Sequence, residues 1–304
     1  MLYSAVLAAV LAVCIATTVS AGEKFSLSVI PGAFYGRYDG SLYRDKIQGA
    51  SLYIEGRLAT QWGIAGRYEH TRIKYKFGIP DFEQNAVFLS SYAAYIPKYT
   101  WGLYTFRLDL YSTTDNDGSY SADDVHVVSP QISYTRLDNS VYLDLGYADS
   151  RYGNSLITPG TLQVKQWTPT LGISLTAGAA NRLKLRGYFI HSSNPLRSQD
   201  KTDTSALEVK YRYYPLSSYK LIPQYIDAAV LSGERIYAVD GDSANVTNLA
   251  ELEKGGISLA IQWRLTKSLG LIMIGNRSKF REQNYDSYND YFQKSAWLGL
   301  TTQW

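Results

Sequence analysis

The amino-acid sequence predicts an all-β fold: a transmembrane antiparallel up-and-down β-barrel of about 14 strands, or 12 if one hairpin is misassigned. Three observations favour this fold. Apolar and polar residues alternate in one segment after another, which is the period of a strand whose two faces meet different surroundings. After the N-terminal region, no segment repeats its apolar residues every 3.6 positions, as an amphipathic helix would. The connections between the alternating segments are short and long in turn.

Residues 1–21 are predicted to be a cleaved signal peptide, which leaves residues 22–304 as a single barrel domain. Ala5 to Val19 is apolar or small, and Val19-Ser20-Ala21 offers a cleavage site. The apolar run is shorter than the roughly 20 residues that a membrane-spanning helix needs. Cys14 is the only cysteine, so the mature chain would lack disulfides and cysteine-bound metals.

Six segments show the strand alternation most clearly. Small or charged residues lie between their apolar positions, and a membrane barrel would turn the apolar set to lipid and the charged set to its lumen. The apolar positions are Ala50/Leu52/Ile54/Leu58, Tyr104/Phe106/Leu108/Leu110, Val141/Leu143/Leu145/Tyr147, Leu183/Leu185/Phe189, Leu207/Val209/Tyr211/Tyr213 and Ile257/Leu259/Ile261/Trp263.

The alternation of short and long connections predicts which side of the membrane each connection occupies. Outer-membrane barrels have short periplasmic turns and long external loops, whereas a soluble β-sandwich, the main alternative fold, has no reason to alternate them. The predicted short turns are Ala59–Gln61, Pro97–Thr100, Leu137–Ser140, Ala177–Arg182, Pro215–Tyr219 and Thr266–Gly270. The predicted long loops are Tyr38–Lys46, Lys74–Glu83, Ser112–Asp124, Ala148–Leu162, Ser192–Thr204, Glu234–Lys254 and Arg277–Asp290.

The last segment, Ala296 to Trp304, alternates apolar residues up to a terminal aromatic residue. It resembles the C-terminal signal of bacterial outer-membrane β-barrel proteins, which usually ends in Phe or Trp. The resemblance implies a Gram-negative outer membrane, contact with its lipid and lipopolysaccharide, and recognition of this strand by the barrel-assembly machinery. In a closed barrel the segment would pair with the first strand, near Phe25–Arg37.

Charged residues at the opposite parity of the strands are predicted to line the lumen. Such a lining favours a water-filled conduit with a slight preference for anions; the alternative is a set of internal ion pairs that fill a narrow barrel. The basic candidates are Arg57, Arg67, Arg107, Lys184, Arg186, Lys210, Arg212 and Arg264. The acidic candidates are Glu55, Glu69, Asp109, Asp144 and Glu208.

Aromatic residues predict the membrane boundary. The sequence contains 27 Tyr, and Tyr and Trp are the residues that form aromatic girdles at both surfaces of a membrane barrel. Trp62, Trp101, Trp263 and Trp304 flank short turns or the C-terminus, so they are predicted to form the periplasmic girdle. Core tryptophans of a soluble sandwich are the alternative interpretation.

One local motif suggests an enzymatic alternative. His191-Ser192-Ser193-Asn194 resembles the His-x-Ser-Asn strand motif of outer-membrane phospholipase A and of the outer-membrane lipid A deacylase. The resemblance implies that His191 activates Ser193 on the lipid-facing side of a strand, with an orienting residue near Ser205 or Asp203 on the next strand. Pro195 departs from the small residue that these families place there.

The remaining chemistry-bearing residues are sparse. The sequence contains three His, at His70, His126 and His191, and lacks a phosphate-binding loop, a dinucleotide motif and a cysteine pair. The acidic loop from Asp115 to Asp124 does not have EF-hand spacing. No metal or cofactor is therefore predicted. The net charge of +3 without a basic run excludes nucleic acid as a partner.

Four functions remain open at this point. The first is a porin-like channel for small hydrophilic solutes. The second is an export conduit for an exopolysaccharide, with periplasmic partners and with lumen contacts from Tyr53, Tyr142 and Tyr188. The third is the lipid-active hydrolase centred on His191 and Ser193. The fourth is a barrel that serves as an adhesion or assembly scaffold.

Overall fold

A computed structural model describes residues 25–58, 61–98, 101–116, 124–153, 160–215, 222–247, 249–282 and 288–304 of the chain. Fourteen strands form one closed antiparallel barrel, which confirms the predicted fold. They are β1 (Phe25–Asp39), β2 (Arg44–Leu58), β3 (Trp62–Tyr75), β4 (Phe82–Tyr95), β5 (Gly102–Asp115), β6 (Val125–Arg136), β7 (Val141–Tyr152), β8 (Leu162–Ser174), β9 (Asn181–Ser192), β10 (Asp203–Tyr213), β11 (Tyr225–Arg235), β14 (Glu251–Arg264), β15 (Leu269–Glu282) and β16 (Asp290–Gln303). Two short strands, β12 (Val239–Asp240) and β13 (Asn245–Val246), pair separately.

The helical segments of the described ranges are two 3-10 turns, Ala177–Ala179 and Pro195–Arg197. Among these described residues, no helix is long and apolar enough to cross a membrane. The predicted signal peptide, residues 1–21, lies outside the described residues.

The barrel closes between β1 and β16, as the sequence predicts. The two strands pair antiparallel from Ser28 opposite Gln303 to Asp39 opposite Phe292. The Leu27 and Trp304 backbones exchange hydrogen bonds of 3.0 and 2.9 Å. Because every strand of the closed barrel pairs with a strand on each side, the sheet has no edge strand that could pair with another chain.

The apolar face of the strands points away from the barrel interior. On β5, Phe106 keeps 54% of its surface exposed, whereas Asp109 keeps 1%. On β14, Ile257 is 56% exposed. This distribution inverts that of a soluble protein, in which burial of apolar side chains drives folding. Lipid is the surrounding that makes such an outer face favourable.

The alternation of connection lengths is less regular than predicted. Tyr38 and Lys46 lie inside β1 and β2, so the first external connection is only the segment 40–43. Arg44 is buried there and donates a 2.8 Å hydrogen bond to the Tyr291 hydroxyl, which holds these polar residues against the barrel. Conversely, the segment 214–224 is longer than the predicted turn Pro215–Tyr219. Pro215 and Pro223 lie near its two ends, and proline cannot donate to a strand ladder.

The external connection between β11 and β14, which the structure describes at residues 236–247, 249 and 250, folds into the barrel; it is called the inward loop below. It carries β12 and β13, which form a small hairpin with Val239 opposite Val246. Both valines are buried against Val127 and Val164 of the barrel wall. The main apolar core therefore lies inside the barrel, between its wall and the inward loop.

Candidate functional site

The inward loop reaches the lumen because part of its sequence is apolar. Ile236, Tyr237, Ala238 and Val239 follow one another and are all buried. Burying a large apolar side chain contributes about 1.5–3 kcal/mol relative to leaving it exposed. An external loop with this apolar run is therefore more stable inside the barrel than in water.

Hydrogen bonds fix the position of the inward loop. The buried Gln166 side chain of β8 donates to the Val239 carbonyl at 2.6 Å and accepts from the Val239 N–H at 3.0 Å. The Tyr237 hydroxyl donates to the Arg197 carbonyl at 2.6 Å. At the end of the loop, Gln199 donates to the Ala250 carbonyl at 2.7 Å. The loop is thus held by the barrel wall and by the external segment that follows β9.

On one wall of the lumen, formed by β2, β3 and β5, arginines are neutralised by their own strands. Each pairs with a carboxylate two positions away: Arg57 with Glu55, Arg67 with Glu69, and Arg107 with Asp109. Two of these guanidinium groups also donate to the inward loop, Arg67 to the Ser243 carbonyl and Arg107 to the Gly241 carbonyl. This wall therefore donates hydrogen bonds to the loop, but its arginines do not depend on loop carboxylates for charge balance.

The opposite wall, formed by β9 and β10, meets the loop through charge. Arg186 binds the Asp240 carboxylate at 3.3 Å and the Asp242 carboxylate at 2.6 Å. The Asp242 Oδ2 atom also lies 2.8 Å from Lys184 Nζ and 3.3 Å from Lys210 Nζ. Charge-assisted hydrogen bonds of this kind are roughly twice as strong as neutral ones. Three basic side chains thus surround two loop carboxylates.

These contacts keep both loop carboxylates ionised. Burial by itself would raise the pKa of Asp242, but the nearby Arg186, Lys184 and Lys210 charges outweigh it and hold that pKa well below its usual range. For Asp240, burial and the Asp242 charge raise the pKa, but the charges of Arg186, Arg235 and Lys210 together lower it more, so the net shift is again downward. The two carboxylates are therefore bound as anions at neutral pH.

The predicted lumen residues all have the strand parity of the inner face. Glu208 lies 3.8 Å from Lys210, and Arg212 pairs with Asp227 at 2.5 Å. Asp144 is buried on the inner face of β7. Arg264 lies at the end of β14 and is exposed. Their role in conduction stays a prediction.

Sequence reasoning missed the residues that bring the two walls together. Asp240, Gly241 and Asp242 fell within a connection predicted only as a polar external loop, and Gln166 had no predicted role. The apolar run Ile236 to Val239 was the available signal, because solvent-exposed loops seldom carry four consecutive apolar residues.

The four predicted girdle tryptophans lie at one end of the barrel. Trp62 opens β3, Trp101 immediately precedes β5, Trp263 is the penultimate residue of β14, and Trp304 follows β16. Trp62, Trp101 and Trp304 are exposed. The end that they share is the one that carries the predicted periplasmic turns. Their function as a membrane girdle stays a prediction.

The predicted His191 and Ser193 pair is not joined by a hydrogen bond within the described residues. The His191 ring lies on the outer face and contacts the Asp203 carboxylate at 2.9 Å. Asp203, rather than Ser205, is the residue opposite His191. The Ser193 hydroxyl accepts a 2.9 Å hydrogen bond from the Gln163 N–H instead. The arrangement lacks the base-to-nucleophile contact of nucleophilic catalysis.

Other sequence-predicted features occupy different surroundings. Tyr188 is fully buried, and Arg235 lies 4.8 Å from its ring centroid. Tyr53 and Tyr142 are partly buried on the inner face. The acidic loop lies largely outside the described residues, because 117–123 are not among them. In the described ranges, no three His, Cys, Asp or Glu side chains form a group that could hold a metal ion.

Comparison with models of known protein families gave no match, and neither did comparison with curated protein sequences. Solved structures do match. The CymD monoaromatic hydrocarbon channel is 8% identical, with a TM-score of 0.53 over 93% of this chain and 89% of that chain. Acinetobacter baumannii OccAB3 is 10% identical, with a TM-score of 0.43 over 94% of this chain and 100% of that chain. The NanC porin is 9% identical, with a TM-score of 0.42 over 91% of this chain and 98% of that chain. The chain is therefore similar in fold to the CymD channel.

Proposed function

We propose that the protein is a porin-like channel for small hydrophilic solutes in the outer membrane of a Gram-negative bacterium. The observation that carries this proposal is a 14-strand barrel that is apolar outside and charged inside, with a loop folded across the charged interior. A charged interior favours water and polar solutes, and a loop inside a barrel narrows the path that they follow. Outer-membrane lipid and lipopolysaccharide would surround the barrel.

The inward loop would form the constriction of this channel. It contacts Arg67 on β3 at one side and Lys210 on β10 at the other, so it crosses the lumen between the two charged walls. Solutes would pass beside the exposed part of the loop hairpin. The assembly machinery would recognise the C-terminal strand that β1 closes against.

The export conduit is less well supported than the channel. An exopolysaccharide needs a wide path and accessible aromatic rings, and Tyr188, one of its three predicted contacts, is fully buried. The hydrolase is also less well supported, because the Ser193 hydroxyl contacts the Gln163 backbone rather than His191. The scaffold has no specific observation in its favour.

Solute flux tests the proposal directly. The purified protein is reconstituted into liposomes, and swelling is recorded in solutions of neutral sugars of increasing size. A porin-like channel is expected to admit the smaller sugars quickly and the larger ones slowly. Liposomes that exclude even the smallest sugar, although the barrel has inserted as judged by its heat-dependent mobility on gels, would refute the proposal.

A further inference from the structure

Lys184 and Arg186 of β9 differ from the arginines on the opposite wall in where their counter-charges come from. Arg57 on β2, Arg67 on β3 and Arg107 on β5 each have a carboxylate on their own strand, so these three charges stay balanced wherever the loop lies. Lys184 and Arg186 receive their carboxylates from the inward loop instead. Without the loop, Lys184 and Arg186 would lose the carboxylates that pair with them, while Lys210 would keep only Glu208 among the described carboxylates, at 3.8 Å.

We propose that Lys184, Arg186 and Lys210 form a binding site for small dicarboxylates, and that Asp240 and Asp242 occupy this site as an internal ligand. This inference rests on the proposed channel function and names the solute class of its constriction. In the structure these three cations bind two carboxylates at once. Arg186 contacts both Asp240 and Asp242, and the two lysines contact Asp242.

The internal ligand is exchangeable because water can reach it. The Asp240 and Asp242 side chains keep 23% and 34% of their surface exposed, and Lys184 and Lys210 each keep 22%. Water therefore reaches the lysines while the loop is still seated. Arg186 is only 5% exposed and donates to the Thr170 hydroxyl, which holds its fork in a fixed orientation. A preorganised arginine fork suits planar carboxylates.

The hairpin geometry explains why the internal ligand binds two positions at once. Asp240 and Asp242 are separated by Gly241, and the Asp242 N–H donates a 3.0 Å hydrogen bond to the Asp240 carboxylate. This bond fixes the spacing between the two carboxylates. A flexible dicarboxylate can adopt the same spacing, whereas a monocarboxylate can satisfy only part of the site.

Succinate binding in detergent tests the site independently of transport. Titration calorimetry compares the native protein with the variant Asp240→Asn/Asp242→Asn, in which the internal ligand is neutral. Succinate is expected to bind the variant at least tenfold more tightly, because it no longer competes with the loop. It is expected to bind more tightly than acetate. Equal succinate affinities in the two proteins, or acetate bound as tightly as succinate, would overturn the proposal.

Two further variants locate the site. Lys184→Gln/Lys210→Gln in the neutral-loop background is expected to abolish succinate binding. The control Arg57→Gln removes a cation of the opposite wall that pairs with Glu55, and it is expected to leave binding unchanged. Loss of binding only in the control would overturn the assignment. Barrel folding is checked in every variant by heat-dependent gel mobility.

Flux measurements separate this inference from the proposed function. Succinate binding without sugar or succinate flux would leave the site in place and refute the channel. Sugar flux without succinate binding in either protein would leave the channel in place and refute the site. Under a KCl gradient, the reversal potential of the neutral-loop variant is expected to shift toward that of an anion-selective pore, and an unchanged potential would count against the site.

Discussion

Gln166 should control how firmly the inward loop is seated. Its buried side chain makes two hydrogen bonds to the Val239 backbone, and Gln166→Met removes both while nearly conserving volume. At about 1 kcal/mol for each net hydrogen bond, the seated state loses about 2 kcal/mol. Because 1.4 kcal/mol corresponds to tenfold, the released population is expected to rise about 30-fold.

Cysteine labelling can measure that change. The sequence has Cys14 as its only cysteine, within the predicted signal peptide. Ala238 is buried in the seated loop, so Ala238→Cys introduces a thiol that a maleimide reaches only after the loop is released. When release and return are fast relative to labelling, the labelling rate follows the released population. The rate is expected to rise about 30-fold on adding Gln166→Met.

Gln163→Met is the matched control for this experiment. Gln163 lies on the same strand but donates to the Asp149 carboxylate, away from the inward loop. It is expected to leave the labelling rate of Ala238→Cys unchanged. If Gln166→Met also leaves the rate unchanged, the two hydrogen bonds do not hold the loop and the reasoning fails.

Three other experiments test the packing of the barrel, the ionisation of Asp242 and the hydrolase motif. A Cβ at Gly299 would lie 2.0 Å from the Trp297 ring, so Gly299→Val should lower the thermal midpoint of the barrel. A Cβ at Gly275 would have nothing within 4 Å, so Gly275→Ala should not lower it. Equal midpoints for the two variants would contradict this packing. The depressed pKa of Asp242 means that its contribution to loop seating is full above the usual carboxyl range and is lost only as pH falls below that range. Because maleimide reacts with the thiolate, the labelling rate of Ala238→Cys is divided by that of a fully exposed cysteine at the same pH. This ratio should not change between pH 8 and pH 5, and a higher ratio at pH 5 would contradict the reasoning. Phospholipid turnover should be absent with or without Ser193→Ala, and turnover that this substitution removes would restore the hydrolase.

The barrel could be predicted from the sequence because its signals are local. Alternation such as Leu143 and Leu145 around Asp144 indicates which face of a strand meets lipid, and repeated alternation predicts about 14 strands. Closure followed from the apolar last segment, which needs a partner on its edge. Strand ends were less certain: the polar residues between Tyr38 and Lys46 resembled a loop, yet the buried contact from Arg44 to Tyr291 keeps them in the barrel.

The inward loop could not be placed from the sequence because its position depends on contacts between distant residues. Gln166 and Val239 are 73 positions apart, and Lys184 and Asp242 are 58 apart. Strand parity identified Lys184 and Arg186 as lumen residues but gave no partner for their charge. The polar residues from Asp240 to Asp242 are typical of an external loop. The adjacent apolar run, Ile236 to Val239, favours burial, and in the structure this run is buried inside the barrel.

Single-channel conductance shows directly whether the protein is a channel and whether the inward loop narrows it. The native protein is compared in planar bilayers with a variant in which residues 236–250 are replaced by a short Gly-Ser linker, after heat-dependent gel mobility has shown that both form barrels. Stable open steps are expected for the native protein and larger steps for the variant. Silent bilayers for both proteins, or steps of equal size, would contradict this expectation.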